Sequence, residues 1–490
     1  ALGYAALDAN TTGTANIALG NDSLGANTTG GYNIAIGRVA LSANTTASNN
    51  VGIGYNTLAS NTTGDTNVAV GNYALDANTV GDRNVAIGYN ALTAYNPDSN
   101  EDSYNVAVGY TAGGSITTGN QNTAIGGLAL DSTTTGIRNV AVGYSALDGN
   151  TTGSSNTALG RSALGSNTTA DNNTAVGREA LYGNTTGSEN TAVGGYALDA
   201  NTTGDNNIGV GYGALGANTT GANNTAVGTY ALDANTTASG NTALGRNALS
   251  TSTTAAENTA IGYQAMSVGT QGDYGTAVGV SALYNNTATS NTAVGHNTMF
   301  ANTTGGSNTA VGANALDANT TGSSQVAIGA SSLSANTTGT INTAVGNAAM
   351  ALNTTGDNNV AVGYDALNAN TTADNNTGVG TQALAANTTG AGNTAIGRGA
   401  LVANTTGANN TAIGHGALDV NTTGASNVAI GVGALDANTT ANSNTAVGNS
   451  SLGSNTTGTF NVALGQNALL SNTTGGSNIA VGYQALDANT

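Results

Sequence analysis

The stretch Asn173-Thr174-Ala175-Val176-Gly177-Arg178-Glu179-Ala180-Leu181-Tyr182-Gly183-Asn184-Thr185-Thr186-Gly187-Ser188-Glu189 is followed by Asn190-Thr191-Ala192-Val193-Gly194, so its opening returns after 17 residues. Self-similarity at a fixed period marks a repeat architecture in which each unit packs on its neighbours. The glycines that close the Ala-Val-Gly-like triplets set the register. They run from Gly3, Gly20, Gly37 and Gly54 to Gly482, 29 in all, and every interval is 17 residues except Gly88 to Gly109 (21) and Gly279 to Gly295 (16). This predicts one repeat array over residues 1–490, with irregular coils at 89–126 and 280–295 that are loop adjustments. Both ends of the sequence fall in mid-repeat, which leads us to expect a window of a longer chain.

Composition agrees with a repetitive design. Glycine occurs 73 times and proline once, charged residues make up 7%, and lysine, cysteine and tryptophan are absent. A net charge of −18 argues against nucleic acid, whose phosphates need a basic stripe. The lack of cysteine excludes a disulfide framework and thiolate metal sites. No run of about 18 apolar residues exists that would insert in a membrane.

Each unit holds several Gly and Asn residues and a Thr-Thr pair, all poor helix formers. Short strands separated by Gly/Asn/Thr turns fit better. In the first strand, Asn-Thr-Ala-Val-Gly, a period of two puts Thr and Val on one face and Asn, Ala and Gly on the other. The Val position is always Val, Ile or Leu, and the Ala position always Ala or Gly. We therefore expect the aliphatics Val70, Val176, Val193 and Val227 to fill the interior of a coil. The small residues Ala192, Ala226 and Ala243 would form a flat face for association, against the opposite wall of a narrow coil or a second chain. A second strand, Ala-Leu-x-Ala, carries Leu in 25 of 29 units, with Met266, Met299, Met350 and Gly113 as exceptions. Leu75, Leu181, Leu198 and Leu232 are thus expected in the core, and the freely varying x position in solvent.

Two Asn columns recur, one opening the first strand (Asn67, Asn190, Asn207) and one opening the Asn-Thr-Thr-Gly turn (Asn184, Asn201, Asn218). Stacked at the inter-strand spacing of about 4.8 Å, their side chains can form ladders that satisfy buried amides. The fold predicted is all-β: a parallel β-solenoid, or β-roll, of about 29 coils, forming an elongated rod roughly 140 Å long.

Asn-Thr-Ala-Val-Gly-x-x-Ala-Leu closely resembles the Ser/Thr-x-Ala-Ile-Gly-x-x-Ala repeats of trimeric autotransporter adhesin heads. The Asn-Thr-Thr-Gly-rich units are also similar to repeat regions of phage tail-fibre-like proteins. The first resemblance implies a left-handed parallel β-roll with three chains side by side on a bacterial surface. The coil here is about three residues longer than that family's repeat, chiefly in the Asn-Thr-Thr-Gly turn.

Other motifs point to less. Asn-Thr-Thr matches a glycosylation acceptor in many units, but a ladder explains the Asn, and a sugar on every coil would collide with the next. Asp after Leu, as in Asp76, Asp199 and Asp233, reads as a solvated acidic face, since the Gly-rich calcium-solenoid pattern is absent. Tyr89, Tyr110, Arg161 and Arg178 follow register glycines and form a candidate surface-contact strip for a glycan or receptor. His296 and His415 lie seven coils apart, and no nucleophile–base–acid set is visible, so no enzyme activity and no cofactor are expected. The functional expectation is a non-enzymatic extracellular fibre or filament at a cell or virion surface, self-associating as a homotrimer or filament. A phage tail fibre binding a receptor is the alternative. Ice binding ranks below both, because the adjacent turn threonines point apart.

Overall fold

A computed structural model describes residues 1–489. The chain forms two compact units, Ala1–Asn247 and Ala248–Thr490. The first holds β1 (Ile17–Leu19) to β14 (Thr242–Leu244), and the second β15 (Thr259–Ile261) to β28 (Ile479–Val481). No helix occurs among the described residues. Within each unit successive strands pair in parallel, like residue on like residue: Thr174 with Thr191, Ala175 with Ala192, Val176 with Val193. The architecture is a parallel β-solenoid. Its 28 strands delimit 27 turns against 29 register glycines, because before Gly3 only Leu2 makes an isolated bridge, to Leu19.

The two irregular intervals do not disturb this register. Val85 still pairs with Val106, and Thr276 with Thr292. At the insertion, fully buried Tyr95 takes the turn-Asn position, and Arg83 pairs with Asp102 at the surface. One coil later Gly113 replaces the core leucine, and a Cβ there would lie 3.0 Å from Cδ1 of Ile116, which occupies the volume instead.

The expected second strand is not a strand. The chain after each register glycine is a run of turns with left-handed backbone at the leucine, φ 54° at Leu181 and 53° at Leu198. Its amides still bond from coil to coil: Leu181 N–H donates to Ala197 O at 2.9 Å, and Thr185 N–H to Thr202 O at 2.9 Å. Left-handed backbone costs an L-residue about 1–2 kcal/mol and is worst for β-branched side chains. The buried column takes Leu or Met, with Gly113 once, and never Val or Ile. Less buried columns with the same conformation do admit half-buried Val39 and exposed Ile341, so the exclusion belongs to the packed position. Burying each leucine is worth about 1.5–3 kcal/mol, which offsets the strain.

The register glycine is required twice over. At Gly177 φ is 138°, and a Cβ would stand 2.6 Å from the carbonyl carbon and oxygen of Gly194 in the next coil.

The interior is the reverse of the expectation for the first strand. Leu75, Leu181, Leu198 and Leu232 are fully buried, but so are Ala192, Ala226 and Ala243. Val70, Val176 and Val227 are half-exposed and Val193 is 36% exposed, so these valines point outward and are not core. The reason is width. Where glycine replaces the strand alanine, a Cβ at Gly52 would sit 3.3 Å from Leu41 Cδ1, and one at Gly209 3.3 Å from Leu198 Cδ1. The leucine wall stands so close that only a methyl fits between. The small-residue restriction is thus an interior constraint, and Ala192, Ala226 and Ala243 form no association face.

Candidate functional site: ladders inside, an aliphatic face outside

Most of the buried polar side chains belong to two Asn columns. In the turn column, Asn201 Nδ2 donates to Asn184 Oδ1 at 2.9 Å and to Gly204 O at 3.0 Å, and Asn218 Nδ2 donates to Asn201 Oδ1 at 2.7 Å. This is an amide-to-amide ladder. The strand column works differently. Asn207 N–H donates to Asn190 Oδ1 at 2.9 Å, and Asn190 Nδ2 donates to Gly204 O at 2.8 Å. Asn67 does the same with the Asn50 Oδ1 and Gly81 O acceptors. Each such side chain therefore bonds forward to the following coil, while the residue's own backbone N–H bonds back to the Asn Oδ1 of the preceding one. Along an unbroken run of the ladder these buried amides have partners whose loss would cost about 1–3 kcal/mol per group. A turn Asn held this way has no free Nδ2 to carry a sugar.

The turn ladder is interrupted where other residues stand in the column, at Tyr95, Ile116 and Thr133 in the first unit. Thr133 partly restores it, its Oγ1 accepting from Asn150 Nδ2 at 3.2 Å.

The outward face of the strands is the feature that the sequence reading placed on the wrong side. Its two columns are the residues flanking the buried alanine. One contains only Val, Ile or Thr, and the other only Val, Ile or Leu, in all 28 strands. No strand puts a charge, amide or serine there. The column holding Asp199, Gly216 and Val402, which is half-exposed to a similar degree, varies freely. The first six strands are aliphatic in both columns, from Ile17 and Leu19 to Val106 and Val108. In each unit of fourteen coils the face is roughly 60 Å long and two side chains wide, on the order of 400 Å².

The candidate contact strip is already engaged along the stack. Tyr89 and Tyr110 stack with ring centroids 5.6 Å apart, at the end of a run that starts with Arg38 over Tyr55 and continues through Tyr73. Arg178 lies 5.1 Å from the Tyr196 ring, which adjoins Tyr212 and then Tyr230. Glu179 lies within ion-pair distance of Arg178 at 3.2 Å and of Arg161 at 4.0 Å. Such contacts tie coil to coil at the edge as the Asn ladders do inside.

The aspartates after Leu are partly withdrawn from water. Burial, the largest cause, pushes the carboxyls of Asp76, Asp131, Asp148, Asp199 and Asp317 above the ordinary aspartate value. Asp76 also accepts a hydrogen bond from Thr93 Oγ1 at 2.8 Å, which acts the other way. Among the described residues no group of three or more His, Asp or Glu is placed to hold a metal ion. No protein-family model matches the chain, and no curated protein matches its sequence.

Proposed function

We propose that this chain is a non-catalytic structural fibre protein whose copies associate side by side through the outward strand face. The observation that carries this reading is the restriction of both outward columns to β-branched or aliphatic residues in every strand. A face that met only water would accept Ser, Asn or Asp, as the exposed turn columns do. An uncharged face of about 400 Å², methyl-lined with threonine hydroxyls along part of one column, has the size of a surface patch that is often a contact. The partner best matched to it is a second copy of the same chain, since only a stack with the same coil spacing can meet it column on column. The net charge of −18 is carried elsewhere, so close approach of two such faces meets no direct repulsion. An extracellular place at a cell or virion surface belongs to the same proposal and is supported by the adhesin-like repeat.

Sedimentation velocity tests this. The wild-type chain should run heavier than its 47.1 kDa monomer. The double variant Thr191→Asp, Val193→Asp should shift toward monomer with its β-signal retained. A wild-type monomer at tens of micromolar would contradict the proposal.

One observation favours a second reading. Fifteen strands pair an outward Thr with an outward aliphatic, as in Thr309 and Val311, so hydroxyls and methyls alternate on one flat face. That arrangement suits ice binding better than the turn threonines do, and thermal hysteresis of the purified chain measures it.

A further inference from the structure

Away from the strand face, the second unit has an open cavity of about 230 Å³ lined by Gln382, Arg398, Val402, His415 and Asp419 over the backbones of Gly399 and Gly416. It stands out by comparison with glycine gaps elsewhere on the same edge. A Cβ at Gly213 would lie 2.9 Å from the ring of Tyr230, and one at Gly195 3.6 Å from that of Tyr212, so the next coil's tyrosine covers each gap. At Gly399 and Gly416 nothing lies within 4 Å, and at Gly433 only Ser450 Oγ comes near, at 3.8 Å. Three consecutive coils therefore leave a trough about 14 Å long at the coil spacing.

The walls carry chemistry that the rest of this edge does not combine. Arg398 and His415 stand on one side, Val402 and Asp419 on the other, and Gln382 closes one end. Arg398 has no carboxylate within ion-pair distance among the described residues, unlike Arg83, Arg161 and Arg178. The floor offers no strand edge, because Gly416 N–H is spent on Arg398 O and Gly433 N–H on His415 O, both at 3.1 Å. A peptide thus cannot add as a strand. Recognition falls to side chains: a fork of donors, a carboxylate acceptor, an amide that does both, and a valine. Donors and acceptors facing each other across a narrow trough match adjacent hydroxyls on a ring with an apolar C–H face. The mixed charge does not favour a polyanion.

We propose that this trough is a binding site for a neutral oligosaccharide of two or three sugar rings lying along the stack. Arg398, Gln382 and Asp419 hydrogen-bond its hydroxyls, and Val402 meets a ring face. The site does not depend on side-by-side association, and sedimentation reports that property separately.

The test is binding of the full chain to a printed panel of neutral glucose, galactose and N-acetylglucosamine di- and trisaccharides beside sialylated ones. Calorimetry would then use whichever neutral sugar binds. Gly416→Tyr fills the trough with a residue that the same column already carries in left-handed backbone, at Tyr73, Tyr196 and Tyr230, so the fold should survive. It should lower affinity at least tenfold with the β-signal and sedimentation unchanged, and Asp419→Asn should weaken binding as well. No neutral sugar binding at millimolar concentration, binding confined to sialylated sugars, or binding indifferent to Gly416→Tyr would each overturn the assignment.

Discussion

Leu41 and Gly52 face each other across a single coil so closely that a Cβ at residue 52 would lie 3.3 Å from the leucine Cδ1. That one clearance sets the composition of the strand. It confines the inward column to Ala and Gly and leaves the aliphatics on the outside.

The first prediction follows from that width. Ala226 is fully buried, so Ala226→Leu must push the leucine wall apart or break the strand. Overpacking of this kind costs about 1–3 kcal/mol or more. Limited proteolysis should show new cleavage near residues 226–232. Ala226→Gly, already tolerated at Gly209 and Gly378, should cost no more than about 1 kcal/mol. Intact protease resistance in the leucine variant would mean that the column is not inside.

The ladder gives a second. Asn201→Leu removes a donor from Asn184 Oδ1 and from Gly204 O, and takes the acceptor from Asn218 Nδ2. Gly204 O still accepts from Asn190 Nδ2 and Asn218 Nδ2 still donates to Gly221 O, so Asn184 Oδ1 and one N–H of Asn218 are left unpaired, at about 1–3 kcal/mol each before any relaxation. Hydrogen exchange should accelerate in the coils on both sides of residue 201 and stay slow several coils away. A uniform change along the unit, or none, would contradict a ladder that acts between neighbours.

Backbone geometry supplies a third. Gly177→Ala forces a Cβ against the Gly194 carbonyl at a φ of 138°. Loss of several kcal/mol is expected, more than for a glycine whose φ alanine can adopt. Gly399→Ala is the matched control, since its Cβ meets open space and non-glycine residues fill the same column elsewhere. Similar melting curves for the two variants would show that the register glycine is not sterically required.

The fourth concerns pH. Burial raises the folded-state pKa of Asp76, Asp131, Asp148, Asp199 and Asp317 above the unfolded value. The folded chain then binds these protons more tightly than the unfolded one. Stability therefore rises as pH falls from neutrality through the folded pKa values, until the unfolded value near about 3.9 is reached. Reduced repulsion within a chain of net charge −18 acts in the same direction. Thermal unfolding should occur at a higher temperature near pH 4 than at pH 7. The opposite order would mean that ionised carboxylates hold the fold together.

Much of this architecture is legible in the sequence because a repeat multiplies weak signals. One Asn184 or Leu181 says little; the same residue at 17-residue intervals fixes the period, the parallel stack and the buried ladders. The sidedness of the strand was not legible. A period of two separates Val193 from Ala192 but does not say which faces in. The usual preference for bulk inside gives the wrong answer in a coil too narrow for it. The leucine that stands close across the coil sits in left-handed backbone, as at Leu181 and Leu198, and leucine does not advertise that conformation as glycine does. The trough near Gly416 was equally hidden, because an open glycine gap and one covered by tyrosine, as at Gly213, read alike in one repeat.

The central claim is that the aliphatic columns of the strands face outward and meet a second chain. The chain has no cysteine, so a single introduced thiol reports its own surroundings. Val193→Cys and the exposed turn variant Thr203→Cys should both be expressed, oxidised under mild conditions and run without reductant. If the face is a contact between copies, Val193→Cys gives a covalent dimer in high yield and Thr203→Cys remains largely monomeric. Absence of the Val193→Cys dimer, or equal dimer yields from both positions, would contradict the account.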